Sequence, residues 1–170
     1  MKKYLLLVLL LTCVFVTGCV KVDVKIGDDK KDTTTTTTAA STSSNSFNCS
    51  ATQNSNGTKI TSTYTVNYSG NYVTDVKTIE TVVSDDDTIL TTTKSTVDQM
   101  YNVMNSTYGG YSFTSKIEGN KLVVETTIDY TKMDLDKYAK DYPTYASYIE
   151  NGKFTVDGIK SMYKLIGAKC

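Results

Sequence analysis

The residues with the clearest chemistry are Val16-Thr17-Gly18-Cys19, which close an apolar run with a small residue immediately before a cysteine. That is the pattern of a lipobox, whose cysteine receives thioether-linked diacylglycerol and becomes the new N-terminus. Upstream, Met1-Lys2-Lys3 is a basic n-region, and residues 5–11 form an apolar h-region continued by Val14, Phe15 and Val16. The order and length are those of a signal peptide, too short and wrongly flanked for a stable membrane span. The expectation is a signal peptide over residues 1–18 and lipidation at Cys19. Acyl chains contribute about 0.8 kcal/mol per buried methylene, so two or three chains hold a domain firmly at a bilayer. Membrane lipid is thus the first expected partner, and the extracytoplasmic face of the cell membrane the expected location.

Carboxylates are the next candidates. Asp85-Asp86-Asp87 is the densest acidic cluster and offers hard oxygen ligands to a divalent cation. It lacks the graded ligand spacing and turn glycine of a calcium loop, so a solvated turn is the reading taken. Glu118, Glu125, Asp129 and Asp134 supply carboxylates that could pair for glycosidic chemistry. Tyrosine is abundant, with 13 residues against no tryptophan. Tyr138, Tyr142, Tyr145 and Tyr148 crowd one region, where amphipathic rings could form a platform for glycan or peptide. The same spacings match core stripes, which is the plainer reading.

Absences narrow the chemistry further. Histidine does not occur, which removes His-ligated zinc and both Ser-His-Asp and Cys-His catalysis. The basic residues are all lysine, and losing Lys2 and Lys3 with the leader moves the formal charge from zero to −2. No nucleic-acid surface is expected from that balance. No metal or other cofactor motif stands out. Of the 4 cysteines, Cys13 leaves with the leader and Cys19 is lipidated. Cys49 and Cys170 remain, and in an exported chain they are expected to form a disulfide.

The elements that must position these residues follow from periodicity. Residues 19–46 are the lipidated cysteine and a tether rich in threonine and serine, whose apolar content is too low to offset ordering entropy. As a flexible coil, residues 20–46 would span roughly 30 Å. Residues 47–170 are then one globular domain. Phe47, Cys49 and Ala51 alternate with polar residues, as do Ile60, Tyr64, Val66 and Tyr68. A third strand begins at Tyr72, where the differing parity of Val73 and Val76 implies a bulge. Val97, Met100, Tyr101, Met104 and Tyr108 form a helical stripe, with Ser95 as candidate cap and Gly109-Gly110 as stop. Two strands follow about Gly119-Asn120. Leu135, Tyr138, Ala139 and Tyr142 are helical, Pro143 interrupts them, and Tyr145, Tyr148 and Ile149 resume the stripe. Ile159, Met162, Tyr163 and Ile166 make a closing helix. The order β-β-β-α-β-β-α-α predicts an α+β fold, an antiparallel sheet of about five strands with helices packed on one face.

Three features carry a resemblance to a known family. They are the three-strand run with Gly57-Thr58-Lys59-Ile60 and Tyr72-Val73-Thr74-Asp75-Val76, the strand ending Thr127-Ile128-Asp129-Tyr130 before Met133, and the closing helix over residues 159–167. Together they make residues 47–170 resemble the YehR-like family of small bacterial lipoproteins, a domain family of unknown function. The resemblance implies a similar fold and brings no catalytic residues with it, while a cysteine pair like Cys49 and Cys170 is similar to what some members carry. The functional expectation is a membrane-anchored extracytoplasmic lipoprotein acting as a non-enzymatic binding or accessory module, its partner an envelope glycan, peptide or protein. The alternative is a cell-envelope hydrolase using a carboxylate pair such as Glu118 and Glu125.

Overall fold

The structure is a computed structural model that describes residues 45–55 and 57–170. The expected leader, Cys19 and residues 20–44 of the expected tether lie outside the described residues, while Asn45 and Ser46 belong to the first strand.

Alternating side chains build the sheet. β1 (Asn45–Ser55), β2 (Thr58–Ser69) and β3 (Tyr72–Val83) run as an antiparallel meander. Helix α1 (Asp87–Tyr108) then crosses over to β4 (Tyr111–Glu118), which turns back into β5 (Lys121–Asp129). β5 inserts between β3 and β4, giving the five-stranded order β1-β2-β3-β5-β4 with every pair antiparallel. The implied bulge is present: Asn67 pairs with Asp75 but Tyr68 with Val73, so Thr74 is the extra residue. Gly119-Asn120 closes a two-residue hairpin with Glu118 opposite Lys121, and Gly119 supplies the positive φ of 58° that such a loop needs.

The helices lie on one face of the sheet, as the pattern predicts. α1 covers β4 and β5. Its buried stripe is Leu90, Thr93, Val97, Tyr101, Met104 and Tyr108. The helix begins at Asp87 rather than near Ser95, a correction of about two turns. Asp86 is the N-cap, its carboxylate accepting from the Thr88 amide at 2.8 Å. The β-branched run Thr91-Thr92-Thr93 hid the first turns, because threonine favours strands when read in isolation. At the other end, Gly110 sits at φ 77° where a Cβ would lie 2.5 Å from the Asp129 carbonyl oxygen. Only glycine lets the chain enter β4 so close to the end of β5.

After β5 come α2 (Leu135–Asp141) and α3 (Pro143–Ala146), separated where Pro143 interrupts the helix. The stripe does not resume through Ile149, which is the second correction. Ile149–Glu150 (β6) and Lys153–Phe154 (β7) form a small hairpin instead. Its Asn151-Gly152 turn has positive φ at both residues, the conformation that Asn-Gly favours most in two-residue loops. α4 (Val156–Leu165) closes the fold, with the Thr155 side chain capping its first turn. Its Val156 amide donates to the Asn71 carbonyl at the β2–β3 turn, so the helix starts at that end of the sheet.

The core lies between the sheet and these helices. Val66, Val82, Leu90 and Leu122 are fully buried there, with Phe154 and Ile159 at 1 % exposure. Burial of each contributes about 1.5–3 kcal/mol. The opposite sheet face carries threonine, asparagine and charged residues, and no element among the described residues covers it.

Candidate functional site

Most carboxylates singled out from sequence turn out to shape the chain locally. Asp86 caps α1, and Asp85 accepts from the Asn120 side chain at 3.3 Å. Asp134 caps α2 through the Lys137 amide, and Asp129 accepts from the Thr131 amide while pairing with Lys132 at 2.7 Å. Among the described residues, no group of three or more His, Cys, Asp or Glu side chains is placed to hold a metal. Glu118 and Glu125 do share the outer sheet face, as their parity predicts, and they do not converge. Glu118 stands opposite Lys121 while Glu125 stands opposite Thr114, four residues along the strands, or roughly 13 Å. Each is about half exposed and paired with a lysine, Glu118 with Lys116 at 2.8 Å and Glu125 with Lys77 at 3.4 Å.

The tyrosine region is mainly structural. Tyr138 is 2 % exposed and meets Tyr108, Tyr142, Tyr145 and Phe154 at centroid distances of 4.9–6.1 Å. Tyr142, Tyr145 and Tyr148 are half-buried and pack against the core. The cysteine pair is joined: Cys49 and Cys170 form a disulfide.

The arrangement with unassigned chemistry lies on the helix-covered face, around a residue the sequence did not single out. Cross-strand pairing places Ala51, Ser62, Glu80, Val124 and Ser115 in one row across all five strands. The next row is Cys49, Tyr64, Thr78, Thr126 and Phe113. A carboxylate, two threonines and two serines therefore interrupt an otherwise apolar face. Ser62 donates to Glu80 Oε1 at 3.0 Å. Thr126 is 3 % exposed, and its hydroxyl lies beside the Tyr101 phenol.

Helices flank this polar patch from two sides. Tyr163 of α4 stacks on Tyr64 at 4.3 Å, one row away from Glu80. Tyr101 of α1 packs against Phe113 at 5.3 Å on the other side. Glu80 and Thr78 are half-buried. Burial pushes the Glu80 carboxyl up from its ordinary value, and the Ser62 hydrogen bond offsets part of that effect. The same surroundings push the Tyr64 phenol up to about 12, chiefly by burial, with the Glu80 charge adding to it. Tyr101 is raised too, by burial first and then by the Glu80 charge, with a hydrogen bond to Thr126 offsetting part of it. Both phenols thus stay neutral at physiological pH.

No family model matches the chain, and no curated protein matches it either. Among solved structures it is similar to the NMR structure of Escherichia coli YehR, at 16 % identity and a TM-score of 0.49, over 74 % of this chain and 91 % of that one. It is also similar to the NMR structure of a protein from Streptococcus pneumoniae TIGR4, at 10 % identity and a TM-score of 0.44, over 88 % of this chain and 99 % of that one.

Chemically, the Glu80 patch combines a carboxyl group with hydrogen-bonding and aromatic groups. Its members are one carboxylate, neutral hydroxyls and aromatic rings. Sequence reading passed over Glu80 because a glutamate in a strand is read as outward-facing. The available signal was parity: Glu80 shares even numbering with Val76 and Val82, both buried, and lies beyond the bulge at Thr74.

Proposed function

We propose that the chain is an extracytoplasmic lipoprotein, similar to the YehR-like family, that is anchored through lipid on Cys19 and works as a non-enzymatic binding module. The ordered n-region, h-region and lipobox support the anchor. The single observation that supports binding is the Glu80 patch, a half-buried carboxylate and hydroxyl cluster on a face otherwise filled with apolar side chains. Natural cores rarely tolerate such groups without a use, since each carries a desolvation cost. The hydrolase alternative draws no support from Glu118 and Glu125, whose separation of roughly 13 Å along an open sheet exceeds the spacing of catalytic carboxylate pairs. Membrane fractionation of cells expressing wild type and Cys19→Ala tests the anchor. Wild type is expected in the membrane fraction and the variant outside it; equal, detergent-dependent retention of both would refute lipid attachment.

A further inference from the structure

We propose that the start of β1 and two lysines of α4 frame a docking groove for an extended acidic peptide, which adds as a strand beside Asn48 and Ser46. The groove is separate from the Glu80 patch and from the anchor, so the proposal goes beyond the function given above.

The groove is an open space of about 510 Å³ lined by Phe47, Lys160, Lys164, Ala168 and Cys170. It runs beside the free edge of β1. Ser50 donates its N–H to the Lys169 carbonyl and accepts from the Lys169 N–H, so both of its backbone groups point away from β2. Alternation along an antiparallel strand puts the same groups of Asn48 and Ser46 on that edge. Among the described residues, no backbone group bonds to Asn48 or Ser46 on that side. A strand laid end to end with the tail would therefore meet a ready row of donors and acceptors, the usual basis for adding a peptide to a sheet edge.

Charge decides the kind of peptide. Lys160 and Lys164 stand one turn apart on α4, both exposed, with the Lys160 ammonium 5.0 Å from the centre of the Phe47 ring. The ion pairs among the described residues use Lys77, Lys94, Lys116, Lys132 and Lys137, which leaves Lys160 and Lys164 without a carboxylate. The positive stretch is short, because Asp157 lies one turn before Lys160 and the Cys170 carboxylate stands at the other end. It suits one or two carboxylates rather than the run of phosphates on a nucleic acid or an anionic bilayer. Side chains alternate in an extended peptide, so acidic residues two apart would turn toward the lysines together, their methylenes against Phe47 and Ala168.

The test is isothermal titration of the full lipidated chain in detergent micelles with the peptide acetyl-Thr-Glu-Val-Glu-Thr-amide, beside its counterpart acetyl-Thr-Gln-Val-Gln-Thr-amide. Saturable binding of the glutamate peptide is expected, weakened about tenfold or more in a Lys160→Gln/Lys164→Gln double variant and unchanged in Lys153→Gln. Near-ultraviolet circular dichroism of the tyrosines checks that the double variant keeps its packing. Binding should slow hydrogen exchange at the Asn48 amide, and methylating the peptide's backbone nitrogens should abolish it, neither of which a purely electrostatic contact would show. No saturation, equal affinity for the two peptides, or unchanged exchange at Asn48 would overturn the proposal. Self-association of the chain without peptide, lost in the double variant, would overturn it in favour of a second copy in the groove. Neither result would touch the Cys19 anchor, which membrane fractionation reads separately.

Discussion

Ser50 and Lys169 exchange both backbone hydrogen bonds, each at 2.8 Å, so the last residues of the chain lie as a short antiparallel strand along the free edge of β1. The disulfide from neighbouring Cys49 to Cys170 pins this tail in place. An exposed edge strand is a template for unwanted pairing, and here the chain end covers its middle. The same tail follows α4, whose Tyr163 stacks on Tyr64 beside the Glu80 patch. One device thus closes the sheet edge and holds one wall of the candidate site.

Removing the disulfide is therefore expected to cost stability and to loosen that wall. The bridge spans 121 residues, for which loop-closure entropy gives an upper figure of about 5 kcal/mol. A Cys49→Ala/Cys170→Ser double variant should lose about 2–5 kcal/mol in urea unfolding. Hydrogen exchange at the Ser50 and Lys169 amides should accelerate more than exchange at the centre of β3. Unchanged protection at Ser50 would show that the tail holds without the bridge.

The acidic turn has a structural role that can be measured. Asp86→Ala removes the side-chain acceptor of the Thr88 amide and is expected to cost about 1 kcal/mol. Asp85→Ala removes only a 3.3 Å contact with Asn120 and should stay within about 0.5 kcal/mol of wild type. Equal losses in thermal unfolding of the two variants would remove the cap assignment.

How far the fold could be read in advance depended on where periodicity was unbroken. Cys49 shares inward parity with Phe47 and Ala51, and the lipobox reading leaves it and Cys170 as the two thiols to pair, so the bridge was legible. The five strands, their turns and the bulge at Thr74 were legible for the same reason. The start of α1 was not, because three consecutive threonines carry a strand preference that the Asp86 cap and the buried Leu90 override. The β6–β7 hairpin was missed although Asn151-Gly152 is a strong turn signal, because a tyrosine stripe at helical spacing ran into it. Glu80 was missed because the reason for an inward carboxylate lies in Ser62 and Thr126, on two other strands. Contacts between residues distant in sequence leave no local period to read.

The Glu80 environment fixes how stability should change with pH. Its carboxyl is raised in the folded state relative to the ordinary value of 4.5, burial being the main cause. Below the unfolded value both states are protonated and Glu80 contributes nothing. As pH rises the unfolded chain ionises first, so a penalty accumulates until the folded carboxyl ionises too, and it stays constant above that point. The groups facing it do not reverse this sign, because Tyr64, Tyr101 and Tyr163 are all raised by burial and stay neutral through this range. Asp98, lowered through its Lys94 and Ser115 partners, acts oppositely: its stabilisation is present at neutral pH and fades as pH falls through the carboxylate range. Glu80→Gln keeps the shape of the side chain without the charge. It is expected to unfold at a higher temperature than wild type at pH 7.5, with the gap closing as pH is lowered to about 4. Thermal melts of the two proteins across that range check it. A gap that is absent at pH 7.5, or that widens on acidification, would show that Glu80 is not held in desolvated surroundings.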